Sequence, residues 1–162
     1  MLINNFFKIE KYIFYVIIMD NSKPICYFVS GHVDVTQQDF DDHYKNELIE
    51  ATKSKNSRFV MGNAKGIDTM ALEFLIELLG PDNLYRITVY HLGKKSHLKD
   101  KRIRTIGGFG NHNNKDTAMT NASNKDIAWV RPEEESRILY GSNYNPNRIS
   151  GTQHNINRRK LI

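Results

Sequence analysis

Between Val60 and Asp68 the chain reads Val-Met-Gly-Asn-Ala-Lys-Gly-Ile-Asp, with glycines at 62 and 66 and a lysine just before the second. A short apolar run from Arg58 to Met61 leads in. Ile67, Met70, Ala71, Phe74, Leu75 and Leu78 follow at helical spacing until Gly80-Pro81 stops them. That order predicts a strand, a glycine turn and a helix. Such a turn leaves unpaired backbone N–H groups at a helix N-terminus, where the aligned peptide dipoles favour an anion. Gly62, Asn63, Ala64, Lys65 and Gly66 are therefore candidate phosphate-binding residues, with Lys65 adding a positive charge. Asp68 is a candidate for a ribose hydroxyl, or is an acid that simply suits a first helical turn; Thr69 could donate to phosphate or finish the cap. The spacing matches neither the glycine pattern of a dinucleotide fold nor a P-loop, since no Lys-Ser/Thr pair follows Gly66.

Three further groups carry chemistry. Ser30-Gly31-His32-Val33-Asp34 follows an apolar run: Ser30 and Gly31 suit phosphate contact, and His32 suits a general acid or a ligand donor. Asp34 suits a base or a carboxylate that stabilises an oxocarbenium-like transition state. Arg131 ends a second apolar run, where its guanidinium fork suits a phosphate or a salt bridge to a neighbouring acid. Behind it, Glu133-Glu134-Glu135 reads as a solvated cluster from which Glu133 could supply an acid–base group. Ser150-Gly151-Thr152 opens the last helical segment and offers hydroxyls and backbone N–H groups to an anion. His32, Asp34 and His43 follow no metal-ligand spacing, so neither a metal nor a cofactor is expected.

The elements that would position these groups are legible in order. Ile25 to Val29 is an unbroken apolar run, as in a strand buried on both faces. Thr36, with Asp39 three residues on, starts a helix whose inward stripe is Phe40, Tyr44, Leu48 and Ala51. The glycine turn and its helix follow. Arg86 to His91 makes a third strand, residues 92–112 a long basic and glycine-punctuated loop, and Asn113 or Asn114 caps a short helix. Asp126 to Val130 makes a fourth strand stopped by Arg131-Pro132, and a second polar stretch runs from Glu133 to Arg148. Strands alternating with helices require crossovers. The predicted fold is an α/β, Rossmann-like three-layer sandwich, a mainly parallel sheet with helices on both faces. Ligands in such sheets bind beyond the carboxyl ends of the strands, where Ser30, the Gly62 turn and Arg131 all fall.

One hundred and sixty-two residues, 40% hydrophobic and 25% charged, suit a single compact domain over residues 24–162. Residues 1–23 differ in character and read as an accessory extension, with Met19 as a second plausible start. The apolar run from Phe14 to Met19 is too short to span a bilayer, so no membrane partner is expected. The lone cysteine, Cys26, reads as a core thiol in a reducing, cytoplasmic setting. A net charge of +5 is compatible with nucleotides or nucleic acid, and Lys94, Lys95, Lys99, Lys101, Arg102 and Arg104 cluster against Asp100 alone.

Ser30-Gly31-His32 and Gly62-Asn63-Ala64-Lys65-Gly66-Ile67-Asp68 resemble the SLOG superfamily, Rossmann-like domains that include the LOG phosphoribohydrolases, the DNA-processing protein DprA and YspA-type proteins. Thr105-Ile106-Gly107-Gly108-Phe109, Asp116 to Thr120, Asp126 to Pro132 and Ser150-Gly151-Thr152 resemble an uncharacterised subfamily of it, so the likeness covers roughly residues 25–160. The resemblance implies a pocket for a nucleotide-derived ligand, with phosphate on the glycine turn and ribose near Asp68, and often a homodimer. LOG enzymes hydrolyse the bond between base and ribose 5′-monophosphate using a Glu in Pro-Gly-Gly-x-Gly-Thr-x-x-Glu. Here Ser150-Gly151-Thr152 is followed by Gln153-His154-Asn155, with no Glu. Three functions stay open: nucleotide binding with N-glycosidic hydrolysis, a non-catalytic sensor acting through a partner, and single-stranded DNA binding through the basic 94–104 loop.

Overall fold

Tyr27 and Val29 face one side of a central sheet while Cys26 and Phe28 face the other, the period-two alternation of an extended chain buried on both faces. A computed structural model describes residues 24–162; the expectations about residues 1–23 and Met19 lie outside the described residues. The sheet contains β1 (Cys26–Ser30), β2 (Arg58–Met61), β3 (Ile87–Tyr90), β4 (Arg104–Ile106) and β5 (Lys125–Ala128). Their order is β4-β3-β2-β1-β5 and every neighbouring pair is parallel. The chain steps outward from β1 to β4 on one side, then crosses to lay β5 on the other side of β1. Strand order therefore reverses at β1 and β5, and a crevice opens beyond their carboxyl ends.

The larger core joins Tyr27, Val29, Phe59, Met61, Ile87, Val89 and Ile127 of the sheet to two helical segments. The first runs through α1 (Gln37–Phe40), a π-helical turn (Asp41–Lys45) and α2 (Asn46–Lys53); the second is α3 (Ile67–Leu79). The stripe Phe40, Tyr44, Leu48 and Ala51 is buried here, as its spacing predicts. Thr36 and Asp39 close a full capping box: the Asp39 N–H donates to Thr36 Oγ1 at 3.1 Å and the Thr36 N–H to Asp39 Oδ2 at 2.8 Å. On the opposite face a smaller core of Phe28, Val60 and Tyr90 packs on Met119 of α4 (His112–Asn121). The three-layer α/β arrangement is thus present, with the sheet between unequal cores.

The structure differs from the sequence reading in three places. The expected loop at 92–112 contains β4, a three-residue edge strand too short to show a period and exposed at Arg104. The helix after it is capped by Asn111, whose Oδ1 accepts from the Asn114 N–H at 2.8 Å, and not by Asn113 or Asn114. The polar stretch from Glu133 holds a helix, α5 (Glu133–Tyr140), which buries no residue and so carries no apolar stripe to read. The terminal helix, α6 (Gly151–Arg159), begins where expected, with the Ser150 hydroxyl accepting from the Gln153 N–H at 3.1 Å.

Two arginines, Arg86 buried and Arg159 half-buried, tie helix ends to the sheet. Arg86 donates to the carbonyls of Ser57 (2.9 Å) and Ser54 (2.6 Å), giving partners to backbone oxygens just past the end of α2. Arg159 pairs with Asp126 of β5 at 2.9 Å and donates to the carbonyls of Thr120 and Ser123, pinning α6 against β5 and the end of α4. No helix among the described residues is long and apolar enough to cross a membrane.

Candidate functional site

The cleft begins where the β1–β5 ladder stops. Ser30 pairs with Ala128, but the next donor, the Trp129 N–H, goes to the Tyr44 hydroxyl at 3.0 Å, and that hydroxyl donates to the Ser30 carbonyl at 3.1 Å. A fully buried phenol thus bridges the two strand ends. Tyr44 sits in the π-helical turn, whose wider register sets it apart from the regular helix on either side. Burial pushes its hydroxyl up to about 12, so it stays a neutral bridge. Gly31 is required at this spot because a Cβ would run into Ile67 and the Tyr44 hydroxyl.

Past the bridge, the loop after β1 meets the loop after β5. The Arg131 N–H donates to His32 Nε2 at 3.1 Å, so the ring accepts through Nε2 and carries its proton on Nδ1. Burial, then the Arg131 charge, lowers the His32 pKa and keeps the imidazole neutral. The Arg131 guanidinium donates to Asp34 Oδ1 at 3.0 Å and to the Asp34 carbonyl at 2.8 Å; Tyr140 donates to Asp34 Oδ2 at 2.6 Å. Burial alone would raise the Asp34 pKa, but the hydrogen bonds from Tyr140 and Arg131 outweigh it and hold the carboxyl below its ordinary value. Both Asp34 oxygens are engaged, and most of the Arg131 fork faces Asp34, not open space.

A cleft of about 620 Å³ lies over this junction. Of the residues singled out by sequence, it is lined by Ser30, Gly31, His32, Asp34, Ala64, Asp68, Arg131, Glu133, Ser150, Gly151 and Thr152. Gly62, Asn63, Lys65, Gly66 and Thr69 are not among its lining residues. Two N–H groups of the glycine turn are already engaged. The Ala64 N–H donates to Asp68 Oδ2 at 3.0 Å, Thr69 donates to the Ala64 carbonyl at 2.8 Å, and Ile67 N–H donates to the His32 carbonyl at 3.2 Å. Gly66, at φ 74°, lies so close to the loop after β1 that a Cβ would strike the His32 carbonyl and the Val33 backbone.

Lys115 of α4 is the residue that sequence reading missed. It is 4% exposed, lines the cleft, and its ammonium lies 3.7 Å from Asp116 Oδ1. A Cβ at position 62 would meet both the Asp68 carboxylate and this ammonium, so a larger residue there would have to displace the two side-chain ends. Burial raises the Asp68 pKa to about 6 against the lowering effects of the Ala64 N–H and Lys115. Glu133 is fully solvated, and its hydrogen bonds with Arg137 and Tyr144 lower its pKa. Ser30 Oγ and Thr152 Oγ1 are buried on the cleft wall and have no hydrogen-bond partner among the described residues. Tyr140, Tyr144 and Arg148 also line the cleft. Among the described residues no group of three His, Cys, Asp or Glu side chains is arranged to hold a metal ion.

No family model, curated protein or solved structure matches this chain.

Proposed function

We propose that the cleft binds a nucleotide-derived ligand carrying a single phosphate, with the phosphate at the corner formed by Ser30, Lys115 and the start of α6. The observation that carries this reading is the pair of buried hydroxyls, Ser30 Oγ and Thr152 Oγ1, without partners among the described residues and lining the cleft that the buried Lys115 also lines. A buried, unpaired polar group costs about 1–3 kcal/mol, so side chains kept in that state on a cleft wall suit a ligand that completes them. The first turn of α6 adds backbone N–H groups and the positive end of its dipole. We assign the phosphate to this corner and not to the Gly62–Gly66 turn, because Asp68 already occupies the Ala64 N–H and Arg131 already faces Asp34. With Asp34, Asp68, Asp116 and Glu133 also on the walls, one compact cationic corner suits a monophosphate better than a polyphosphate chain. Tyr140 and Tyr144 supply aromatic surface for a base, and the SLOG resemblance supports the same ligand class. Hydrolysis of the N-glycosidic bond belongs to this reading as its catalytic form.

A non-catalytic sensor of such a ligand is the second reading, supported by the lack of a Glu after Ser150-Gly151-Thr152. The test for both is thermal unfolding with nucleoside 5′-monophosphates, nicotinamide mononucleotide, ADP-ribose and ribose 5-phosphate. A saturable rise in Tm with the monophosphates is expected, and no rise with any of these compounds overturns the assignment. Chromatography after long incubation separates the two readings by the presence or absence of free base.

A further inference from the structure

The corner assigned to the phosphate is nearly sealed. Ser30, Lys115 and Thr152 are 6%, 4% and 3% exposed, so a ligand that touches all three needs part of the surrounding wall to move aside. The least anchored part of that wall is the segment 133–149, which holds α5 and the chain leading to Ser150. It supplies Glu133, Ser136, Tyr140, Tyr144, Arg148 and Ile149 to the cleft lining. None of its residues is buried, and the half-buried ones, Ser136, Tyr140 and Tyr144, all line the cleft. Ile138 and Leu139, at 84% and 51% exposed, give α5 no apolar anchor. Both junctions are extended backbone, Pro132 at φ −54°, ψ 153° and Ser150 at φ −68°, ψ 155°, so no helix or strand runs through them. A segment with so little buried surface lies at the low end of local stability.

Among the described residues, side-chain hydrogen bonds from this segment to the rest of the fold pass through one hydroxyl. Tyr140 donates to Asp34 Oδ2 at 2.6 Å, and an Arg131 guanidinium N–H donates to the Tyr140 oxygen at 3.4 Å. Other side-chain bonds of the segment, such as Arg137 to Glu133, stay inside it. The body side of the contact is fixed. The Arg131 side chain is buried, its backbone N–H is held by His32, and its guanidinium lies 5.7 Å from the centre of the Trp129 ring. We infer that residues 133–149 form a hinged lid, latched shut by Tyr140 on Asp34 and Arg131, and that a phosphate reaches the Ser30–Lys115–Thr152 corner only when the latch releases. This rests on the reading of that corner as the phosphate site. Release exposes no buried apolar side chain of the lid, and Asp34 and Arg131 keep each other, so no charge is left unpaired. Opening is therefore a local event that leaves the sheet and both cores in place.

Hydrogen exchange resolved by peptide mass spectrometry compares the full chain with its Tyr140→Phe variant, which keeps the ring and removes the latching hydroxyl. Amides of α5 should exchange about 10-fold faster in the variant, while those of β1, β5 and α6 keep their wild-type rates. Equal exchange of α5 in the two proteins overturns the latch, and equal acceleration throughout the chain overturns the lid as a local unit. Access to the corner is read with Thr152→Cys and Ser30→Cys, each with and without Tyr140→Phe. The readout is the rate of iodoacetamide labelling at the new thiol, resolved from Cys26 by peptide mass. Loss of the latch should speed labelling about 10-fold, and an unchanged rate overturns the gating of the corner. Neither measurement uses a nucleotide, so the lid and its ligand are tested apart. Faster exchange and labelling with no Tm rise from any nucleoside monophosphate keep the lid and overturn the phosphate assignment. A Tm rise with neither acceleration overturns the lid and keeps that assignment.

Discussion

At the scale of single residues, the cleft is organised by where hydrogen-bonding capacity is used and where it is left over. Asp34, Arg131, His32 and Tyr140 bond to one another, whereas the Ser30 and Thr152 hydroxyls find no partner among the described residues. A hydroxyl kept buried and unpaired destabilises the empty protein, so Thr152→Val, equal in shape and also β-branched, should leave its stability unchanged or raise it by up to about 1 kcal/mol. Urea unfolding without ligand measures this; a loss of more than about 1 kcal/mol would mean that the hydroxyl has a structural partner. Asp68 carries the opposite signature to Asp34. Its folded-state pKa of about 6 lies above its ordinary 3.8, so the folded chain holds this proton to higher pH than the unfolded chain does. Stability is therefore lost as pH rises from about 4 to about 6, and Asp68→Asn removes that slope. Tm measured across this range should show wild type falling relative to Asp68→Asn; parallel curves would contradict the buried, protonated acid. The glycines and Asp68 were legible from spacing alone, because a turn needs particular residue types in sequence. Lys115 was not, since its chemistry comes from being packed against Gly62, a contact 53 positions away in sequence that no local pattern encodes.

At the scale of elements, the start of α6 is brought to the cleft by its far end. Arg159 clamps that end to Asp126 of β5 and to the carbonyls of Thr120 and Ser123 behind α4. A basic residue in the last helical turn is favoured by the dipole alone; the longer-range tie that Arg159 makes depends on tertiary contacts. Arg159→Ala should lower stability by about 2–3 kcal/mol, because it leaves Asp126 half-buried and unpaired along with two carbonyls. It should also weaken nucleotide stabilisation although Arg159 lies outside the cleft lining. Urea unfolding and ligand-induced Tm shifts check both, and an unchanged ligand shift would show that α6 is positioned by other contacts. The helices with a buried stripe or a capping pair, α1 to α3, were predicted well because burial imposes the periodicity. Helix α5 was missed for the complementary reason: it is stabilised by first-turn acids and a Glu133–Arg137 pair on an exposed surface, which leaves no apolar pattern.

At the scale of the whole molecule, alternating strand and helix signals implied a parallel sheet, and a five-stranded parallel sheet is what forms. The edge order was not legible, since β4 is only three residues long and lies inside a basic segment. That order separates two charged regions. The exposed lysines of the 94–104 segment lie in the connection from β3 to β4, while the cleft opens at β1 and β5, with β2 between the two strand pairs. Sites this far apart without shared partners act independently. The double variant Lys94→Glu and Lys95→Glu should keep the wild-type nucleotide Tm shift while abolishing whatever salt-dependent retardation single-stranded DNA shows in a gel; loss of the nucleotide shift would show that the segment belongs to the ligand site. The central claim, that the buried hydroxyls and Lys115 form a monophosphate corner, is tested most directly by titration calorimetry of wild type and Thr152→Val with the nucleoside monophosphate giving the largest Tm shift. Wild type should bind with one-to-one stoichiometry and Thr152→Val about 10-fold more weakly, the loss of one hydrogen bond to a charged group. Equal affinity of the two proteins would contradict the account.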